Sequence, residues 1–154
     1  MADQVSTASE RFEYRLFIDS AVRTYAIALR SMQRVREFPS IEHTHEMRKR
    51  MKDHWYQVRL LEQLDPNKLT LRKKKLKQLT ETLGDYQDMS VLRSWLVGQE
   101  KPPLPAPELA QLMSLLGQRS WRLQQHALQQ AEPLFKHSAD YWSRRWLGRL
   151  REVS

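Results

Sequence analysis

The residues best suited to chemistry lie in the stretch HTHEMRKRMKDHWYQVRLLE, residues 43–62, which contains three histidines and five Lys or Arg. On a helical wheel with about 100° per residue, polar donors and cations from this stretch fall within one stripe about 100° wide. The residues of this basic stripe are His45, Arg48, Lys49, Lys52, Tyr56 and Arg59. Because successive cations rise along the helix by about one 5 Å turn, the basic stripe suits a linear polyanion better than a compact ligand.

The opposite side of the same helix is apolar and consists of Met47, Met51, Val58 and Leu61. This arrangement predicts a helix that is packed on one side and charged on the other. A basic face is most often only solvated surface, and carboxylates four residues away then relieve the repulsion between its cations. The basic stripe itself contains no carboxylate, which favours a binding role over simple solvation.

A second group of cations follows, formed by Lys73, Lys74, Lys75 and Lys77. The short loop DPN, residues 65–67, predicts that the helices on either side of it pack antiparallel. Lys73 and Lys77 are then expected to lie beside the basic stripe, so that two rows of charge form a groove.

His45 fits two interpretations. It is either a buried histidine with satisfied hydrogen bonds or a donor that faces phosphate and gains charge below neutral pH. A metal site is not predicted, because HTHE lacks the histidines four residues apart of the HExxH motif and the neighbouring cations repel a divalent ion. Neither a metal nor another cofactor is therefore expected.

The whole chain has 154 residues, a formal net charge of +8 and a pI near 10.0, which favour an anionic partner. Residues 43–77 contain eleven Lys or Arg and four Asp or Glu, a net of +7, so the excess charge is concentrated there. The absence of cysteine excludes disulfides and Cys-ligated metals. A polar start and the lack of any apolar run near about 20 residues predict a soluble cytoplasmic protein with no membrane partner.

Apolar residues recur three and four positions apart through most of the chain, which predicts an all-α protein, an antiparallel helical bundle with a four-helix core. The predicted helices span 9–36, 41–64, 68–83, 86–97 and 108–131, and a sixth carries Phe135, Trp142, Trp146 and Leu150. The length predicts one domain over residues 1–154. Within it, residues 99–107 form a Pro-rich linker between the fourth and fifth helices.

Proline, serine and glycine set the predicted helix ends. Pro39 stops the first helix, and Ser40 caps the second. Gly84 is expected to adopt the left-handed conformation that commonly ends a helix. Asp85 then begins the fourth helix, and Asp88 complements the dipole in its first turn.

Two spaced motifs, HEMRKRMKDHWYQVRLLE and LKQLTETLGDYQDMSVLRSWL, resemble the CHAD family, the conserved histidine α-helical domain. The repeat of that family reads approximately H-x-x-R-K-x-x-K-x-x-x-Y and then L-K-x-L-x-x-x-L-G-x-x-x-D. The matching residues are His45, Arg48, Lys49, Lys52, Tyr56, Leu76, Lys77, Leu79, Leu83, Gly84 and Asp88.

The resemblance implies an all-helical protein whose basic helices bind inorganic polyphosphate. The phosphate ligands that it implies are His45, Arg48, Lys49, Lys52 and Lys77. It also implies that Gly84 and Asp88 organise a turn between the third and fourth helices. The wheel and the second cluster add Tyr56, Arg59 and Lys73 to the candidate polyphosphate-binding residues.

A complete domain of the family contains two basic repeats related by a pseudo-twofold axis, whereas this sequence contains one, which resembles the second. A homodimer can restore the two-repeat groove, because a twofold interface presents the same surface from each chain.

Other functions also fit parts of the sequence. A nucleic-acid-binding helical protein explains the charge equally well, but helix-turn-helix spacing and exposed Asn or Gln among the cations are absent. A structural helical subunit explains the apolar core but not the segregated charge. An enzyme is not predicted, since the basic face offers neither carboxylates for a metal nor a nucleophile beside a base.

Overall fold

The computed structural model describes residues 8–153, and every regular element in that range is helical. The α-helices are α1 (Ala8–Glu37), α2 (Ile41–Leu61), α3 (Pro66–Val97), α4 (Ala106–Ala131) and α5 (Ala139–Glu152). A short 3-10 helix, Glu132–Phe135, joins α4 to α5. The predicted all-α class is therefore confirmed. The described residues form five α-helices, so the helix count differs slightly from the six expected.

The junction between α1 and α2 forms as its sequence predicts. Pro39 lies in the gap between the two helices, where its ring cannot disturb a helical interior. The Ser40 hydroxyl accepts a hydrogen bond of 3.0 Å from the backbone N–H of His43, so Ser40 is the N-cap of α2. This junction fixes the start of the helix that carries the basic stripe.

The predicted break at Gly84 is wrong, because α3 continues through it from Pro66 to Val97. No glycine among residues 8–153 has a positive φ, so Gly84 does not adopt the left-handed conformation expected of it. An interior glycine costs a helix only about 1 kcal/mol relative to alanine. Burial of Leu83 and Tyr86 on either side of it offsets that cost, at about 1.5–3 kcal/mol for a large apolar side chain.

The loss of this break also changes the role predicted for its neighbours. Asp85 does not begin a helix, and Asp88 lies exposed in the interior of α3 rather than in a first turn. The turn that Gly84 and Asp88 were expected to organise is therefore not formed.

Residues 98–105 contain no helix, and Pro107 lies in the first turn of α4, where its missing N–H leaves no helical bond unmade. Phe135, predicted to belong to the last helix, lies instead at the end of the 3-10 helix Glu132–Phe135, which contains Pro133. The assignment of residues 1–154 to one domain, with a linker at 99–107, stays a prediction.

The core lies between α1, α2, α3 and the C-terminal elements. In it α2 packs against both α1 and α3, α3 packs against α4, and α5 packs against α1. The largest side chains that are wholly buried include Ile18, Tyr25, Met47, Met51, Leu69, Leu76 and Trp146. Within the described range, every helix is too short or too polar to cross a membrane.

Candidate polyanion interface

The structure orients α2 as the helical wheel predicts. Met47, Met51, Val58 and Leu61 are wholly buried. Lys49, Lys52, Tyr56 and Arg59 are exposed, and Tyr56 retains 52% of its accessible surface. Burial of one face thus leaves the opposite face, with its cations, open to a ligand.

The carboxylates of α2 do not neutralise the basic stripe. Glu46 and Asp53 both pair with Arg50, at N–O distances of 2.7 Å and 3.7 Å. Among residues 8–153, no carboxylate oxygen lies within 4.0 Å of a cationic nitrogen of Arg48, Lys49, Lys52 or Arg59. The charge on this face therefore remains available to an external anion.

Arg48 is the one cation of the basic stripe that is fixed against a neighbouring helix. Its Nη1 donates a hydrogen bond of 2.6 Å to Oε1 of Gln87 on α3. The guanidinium also lies close to Gly84, where a Cβ atom would stand 3.3 Å from Nη2. Its Nε is buried and has no hydrogen-bond partner. The side chain is thus positioned by α3 while its charge is not paired.

His45 is half-buried, and its Nε2 is shielded from solvent and has no hydrogen-bond partner. Its ring lies edge-on to Tyr86 of α3, with 6.1 Å between ring centroids. His45 is therefore not the satisfied core histidine of the first interpretation. Because His45 and Arg48 are three residues apart on α2, the two unsatisfied nitrogens belong to neighbouring side chains.

An aromatic pair lines the second half of the stripe. The rings of Trp55 and Tyr56 meet edge to face, with 4.9 Å between centroids. Cζ of Arg59 lies 5.7 Å from the centroid of Trp55, within the range of a cation–π contact. This contact restrains the arginine stem without removing its charge.

Of the second cluster, Lys77 is exposed and makes no ion pair within the described residues, whereas Lys73 is paired. Nζ of Lys73 lies 2.5 Å from Oε2 of Glu62, just beyond the last residue of α2. Within the described residues, Glu62 thus neutralises Lys73, whereas Lys77 keeps its charge unpaired.

A buried polar cluster that the sequence patterns did not predict is centred on Arg72 of α3. Its Nη1 donates to the carbonyl oxygen of Leu134 at 2.6 Å, and its Nη2 lies 2.9 Å from Nε2 of His54. Burial lowers the pKa of Arg72 to about 10. Burial first, and then the positive charge of Arg72, hold the pKa of His54 well below its usual value of 6.5. His54 is therefore neutral, with Nε2 as an acceptor.

The signal for this cluster is present in the sequence. Arg72 lies three residues after Leu69 and four before Leu76, on the apolar side of α3, and both leucines are wholly buried. His54 has the same relation to Met51 and Val58 on α2. A cation and a histidine on facing apolar stripes indicate a buried polar contact, but the basic run around Arg72 conceals it.

No group of three or more His, Asp or Glu residues within positions 8–153 is arranged to hold a metal ion.

The exposed cations of α2 thus lie on the second helix of an all-α bundle and are followed by a long third helix. The family model of the CHAD domain matches residues 4–97, which is more than half of the chain and ends at the last residue of α3. The chain therefore belongs to the CHAD family. Comparison with curated proteins and comparison with solved structures each gave no match.

Proposed function

We propose that this protein binds inorganic polyphosphate along the exposed face of α2 and does not transform it. The observation that carries the proposal is the set of exposed cations on α2 that no carboxylate neutralises. The CHAD family, in general, consists of polyphosphate-binding helical domains, and this chain belongs to it.

The spacing of the cations supports a chain-like ligand. Lys49, Lys52 and Arg59 are three and seven residues apart, which corresponds to rises of about 5 Å and 10 Å along the helix axis. Arg48 contacts α3 through Gln87, and Lys77 is an exposed cation on α3 itself. A flexible chain with one charge per phosphate can meet several of these cations at once, whereas a single phosphate can meet only one or two.

The same face is poorly suited to reading nucleic-acid bases. Its aromatic residue, Tyr56, is exposed beside Trp55, but the two rings meet edge to face and do not form a row for stacking bases. Sequence readout also uses Asn or Gln at base edges. On this face Gln87 is instead engaged with Arg48.

The proposal that the protein does not cleave polyphosphate rests on the ion pairs that the carboxylates of α2 form. Phosphoryl transfer uses carboxylates to bind metal ions or to activate a nucleophile. On α2, Glu46 and Asp53 both contact Arg50, and neither pairs with Lys49, Lys52 or Arg59. We therefore expect the ligand to leave the protein with its chain length unchanged.

The test is competitive binding of labelled long-chain polyphosphate against single- and double-stranded DNA at about 150 mM salt. The site variant is Lys49→Ala/Lys52→Ala. The matched control is Lys101→Ala/Lys136→Ala, which removes the same two charges from exposed lysines outside α2 and α3. Polyphosphate recovered from the mixture is sized by gel electrophoresis to detect cleavage.

We expect tight polyphosphate binding that DNA displaces poorly, that the site variant loses and that the control retains. Equal displacement by DNA, or equal losses in both variants, would reduce the surface to a generic polyanion binder. Shortened polyphosphate would contradict the non-catalytic assignment.

We further propose that a second copy of the chain completes the groove. The support is the single basic helix, together with the large apolar side chains that α3 and α4 leave exposed. Trp95 and Trp121 retain 54% and 63% of their accessible surfaces, and Val91 retains 61%. Sedimentation at tens of micromolar protein tests this, and a purely monomeric profile would remove the dimer from the proposal.

A further inference from the structure

The geometry points to Gly84 and Gln87 as positioning residues that aim Arg48 at the ligand without neutralising it. This inference rests on the proposed polyphosphate site. In it, Gly84 and Gln87 of α3 do not contact phosphate themselves. They determine where the guanidinium of Arg48 lies.

Gly84 provides the space. A Cβ atom at position 84 would lie 3.3 Å from Nη2, 3.5 Å from Nε and 3.6 Å from Cζ of Arg48. Three guanidinium atoms therefore rest against the backbone of α3 at the one position where no side chain intervenes. Glycine is not needed for backbone conformation there, because its φ is not positive. We therefore attribute the presence of Gly84 inside α3, where glycine is otherwise unfavourable, to the close approach of Arg48.

Gln87 provides the direction. It lies three residues after Gly84 and hence on the same side of α3, and its Oε1 accepts the Nη1 hydrogen bond at 2.6 Å. The acceptor is a neutral amide, so the guanidinium keeps its full positive charge. A carboxylate at this position would form an ion pair that an incoming phosphate would have to break.

The remaining donors are those that a phosphate requires. Arginine has five N–H donors, and the structure engages one of them through Gln87. Nη2 makes no hydrogen bond within the described residues, and Nε is buried and unpartnered. The guanidinium is therefore fixed in place with Nη donors unused, and these, rather than the buried Nε, are preorganised for contact with two phosphate oxygens.

The test compares two glycines inside helices, of which only Gly84 has Arg48 beside it. Gly84→Ala adds a methyl group against the guanidinium, whereas Gly117→Ala in α4 adds one where nothing lies within 4 Å. We expect Gly84→Ala to weaken polyphosphate binding roughly tenfold, as for the loss of one charge-assisted hydrogen bond. Its thermal midpoint should not fall, because alanine favours the helix. Gly117→Ala should leave the affinity unchanged and raise the midpoint by about 2–4 °C.

A double-mutant cycle identifies the route of the effect. In an Arg48→Lys background, which lacks the fork, Gly84→Ala should cause no further loss of affinity. An equal loss in both backgrounds would show that Gly84 acts on something other than Arg48 and would overturn the inference. Gln87→Glu is the second variant, and we expect it to weaken binding at least as much as Gly84→Ala because it neutralises Arg48.

The outcomes separate this inference from the proposed function. If Lys49→Ala/Lys52→Ala leaves binding intact, the polyphosphate site itself is wrong. If that variant loses binding while Gly84→Ala and Gln87→Glu retain it, the site stands and the positioning role is refuted.

Discussion

Arg48 and its neighbour Lys49 carry the same charge but differ in how firmly the side chain is held. Arg48 is fixed between Gly84 and Gln87, whereas Lys49 extends from an exposed position. An arginine can contact two phosphate oxygens through a planar fork, and a lysine acts as a point charge. The two residues should therefore respond differently to an exchange of one cation for the other.

We predict that Arg48→Lys weakens polyphosphate binding by roughly tenfold, although the net charge is unchanged, because one charge-assisted hydrogen bond and its direction are lost. The reverse exchange, Lys49→Arg, serves as the control and should change the affinity by less than about threefold. Titration of labelled polyphosphate measures both. An Arg48→Lys variant with wild-type affinity would argue against bidentate contact.

His54 makes the fold sensitive to acid. Its imidazole is wholly buried beside Arg72 and Tyr25, and its pKa in the folded protein lies well below the value of 6.5 for an exposed histidine. Below pH 6.5 the unfolded chain takes up a proton that the folded protein does not. The free energy of unfolding therefore decreases as the pH is lowered below 6.5, and this group contributes up to about 1.4 kcal/mol per pH unit.

We predict that urea unfolding shows lower stability at pH 5.0 than at pH 7.5, and that His54→Gln reduces this difference. Glutamine can still accept a hydrogen bond from Arg72 but does not titrate. The control is His126→Gln, at an exposed position on α4, which should keep the wild-type difference. If His54→Gln and wild type lose the same stability on acidification, His54 is not the source.

At the scale of the elements, α5 depends on a buried carboxylate at the start of α3. The side chain of Asp65 is wholly inaccessible to solvent and accepts two hydrogen bonds from Arg145 of α5, at 2.6 Å and 2.9 Å. Arg149 approaches the same carboxylate to 4.0 Å. A bidentate pair of this kind fixes both the position and the rotation of α5 against the corner between α2 and α3.

We predict that Arg145→Ala lowers the free energy of unfolding by about 2–3 kcal/mol, because it leaves Asp65 buried with only the longer Arg149 contact. The adjacent Arg144→Ala is the matched control. Arg144 is 82% exposed and pairs with the exposed Asp140, so its loss should cost less than about 1 kcal/mol. Chemical denaturation compares the two variants, and similar losses would contradict a special role for Arg145.

The elements also show where sequence patterns are sufficient. Strong boundary signals at Pro39, Ser40 and Pro133 closely predicted the end of α1, the start of α2 and the end of α4, because proline and an N-cap act locally. The helix break predicted at Gly84 is wrong, because a glycine inside a helix costs little stability. The feature that we infer to require glycine there is the guanidinium of Arg48, which belongs to another helix. Local patterns carry no information about such a neighbour.

The same limit applies to the candidate site. The wheel predicted the exposed and buried faces of α2 because that division depends only on helical periodicity. It did not predict that Glu62 pairs with Lys73, or that Gln87 accepts from Arg48. Those contacts depend on the register of α2 against α3, which tertiary packing sets.

On the scale of the whole molecule, the charge is distributed unevenly. The net charge of the chain is +8, and a net of +7 lies in residues 43–77, which form α2 and the first part of α3. The carboxylates outside this region include Glu132, Asp140 and Glu152, and each pairs with an arginine outside the basic stripe. If the proposed function is correct, we expect a polyanion to be attracted to this region before any specific contact forms.

We predict that polyphosphate affinity falls steeply with salt, because each neutralised phosphate releases condensed counterions and contributes about −0.7 to −0.9 to the slope of log K against log salt concentration. Lys49→Ala/Lys52→Ala should make the slope less negative by about 1.4–1.8, the share of two contacts. Lys101→Ala/Lys136→Ala should leave the slope unchanged, since those lysines lie outside α2 and α3. Titrations at four salt concentrations measure the slopes. If both variants change the slope equally, the ligand responds to the total charge of the molecule and not to a row of cations on α2.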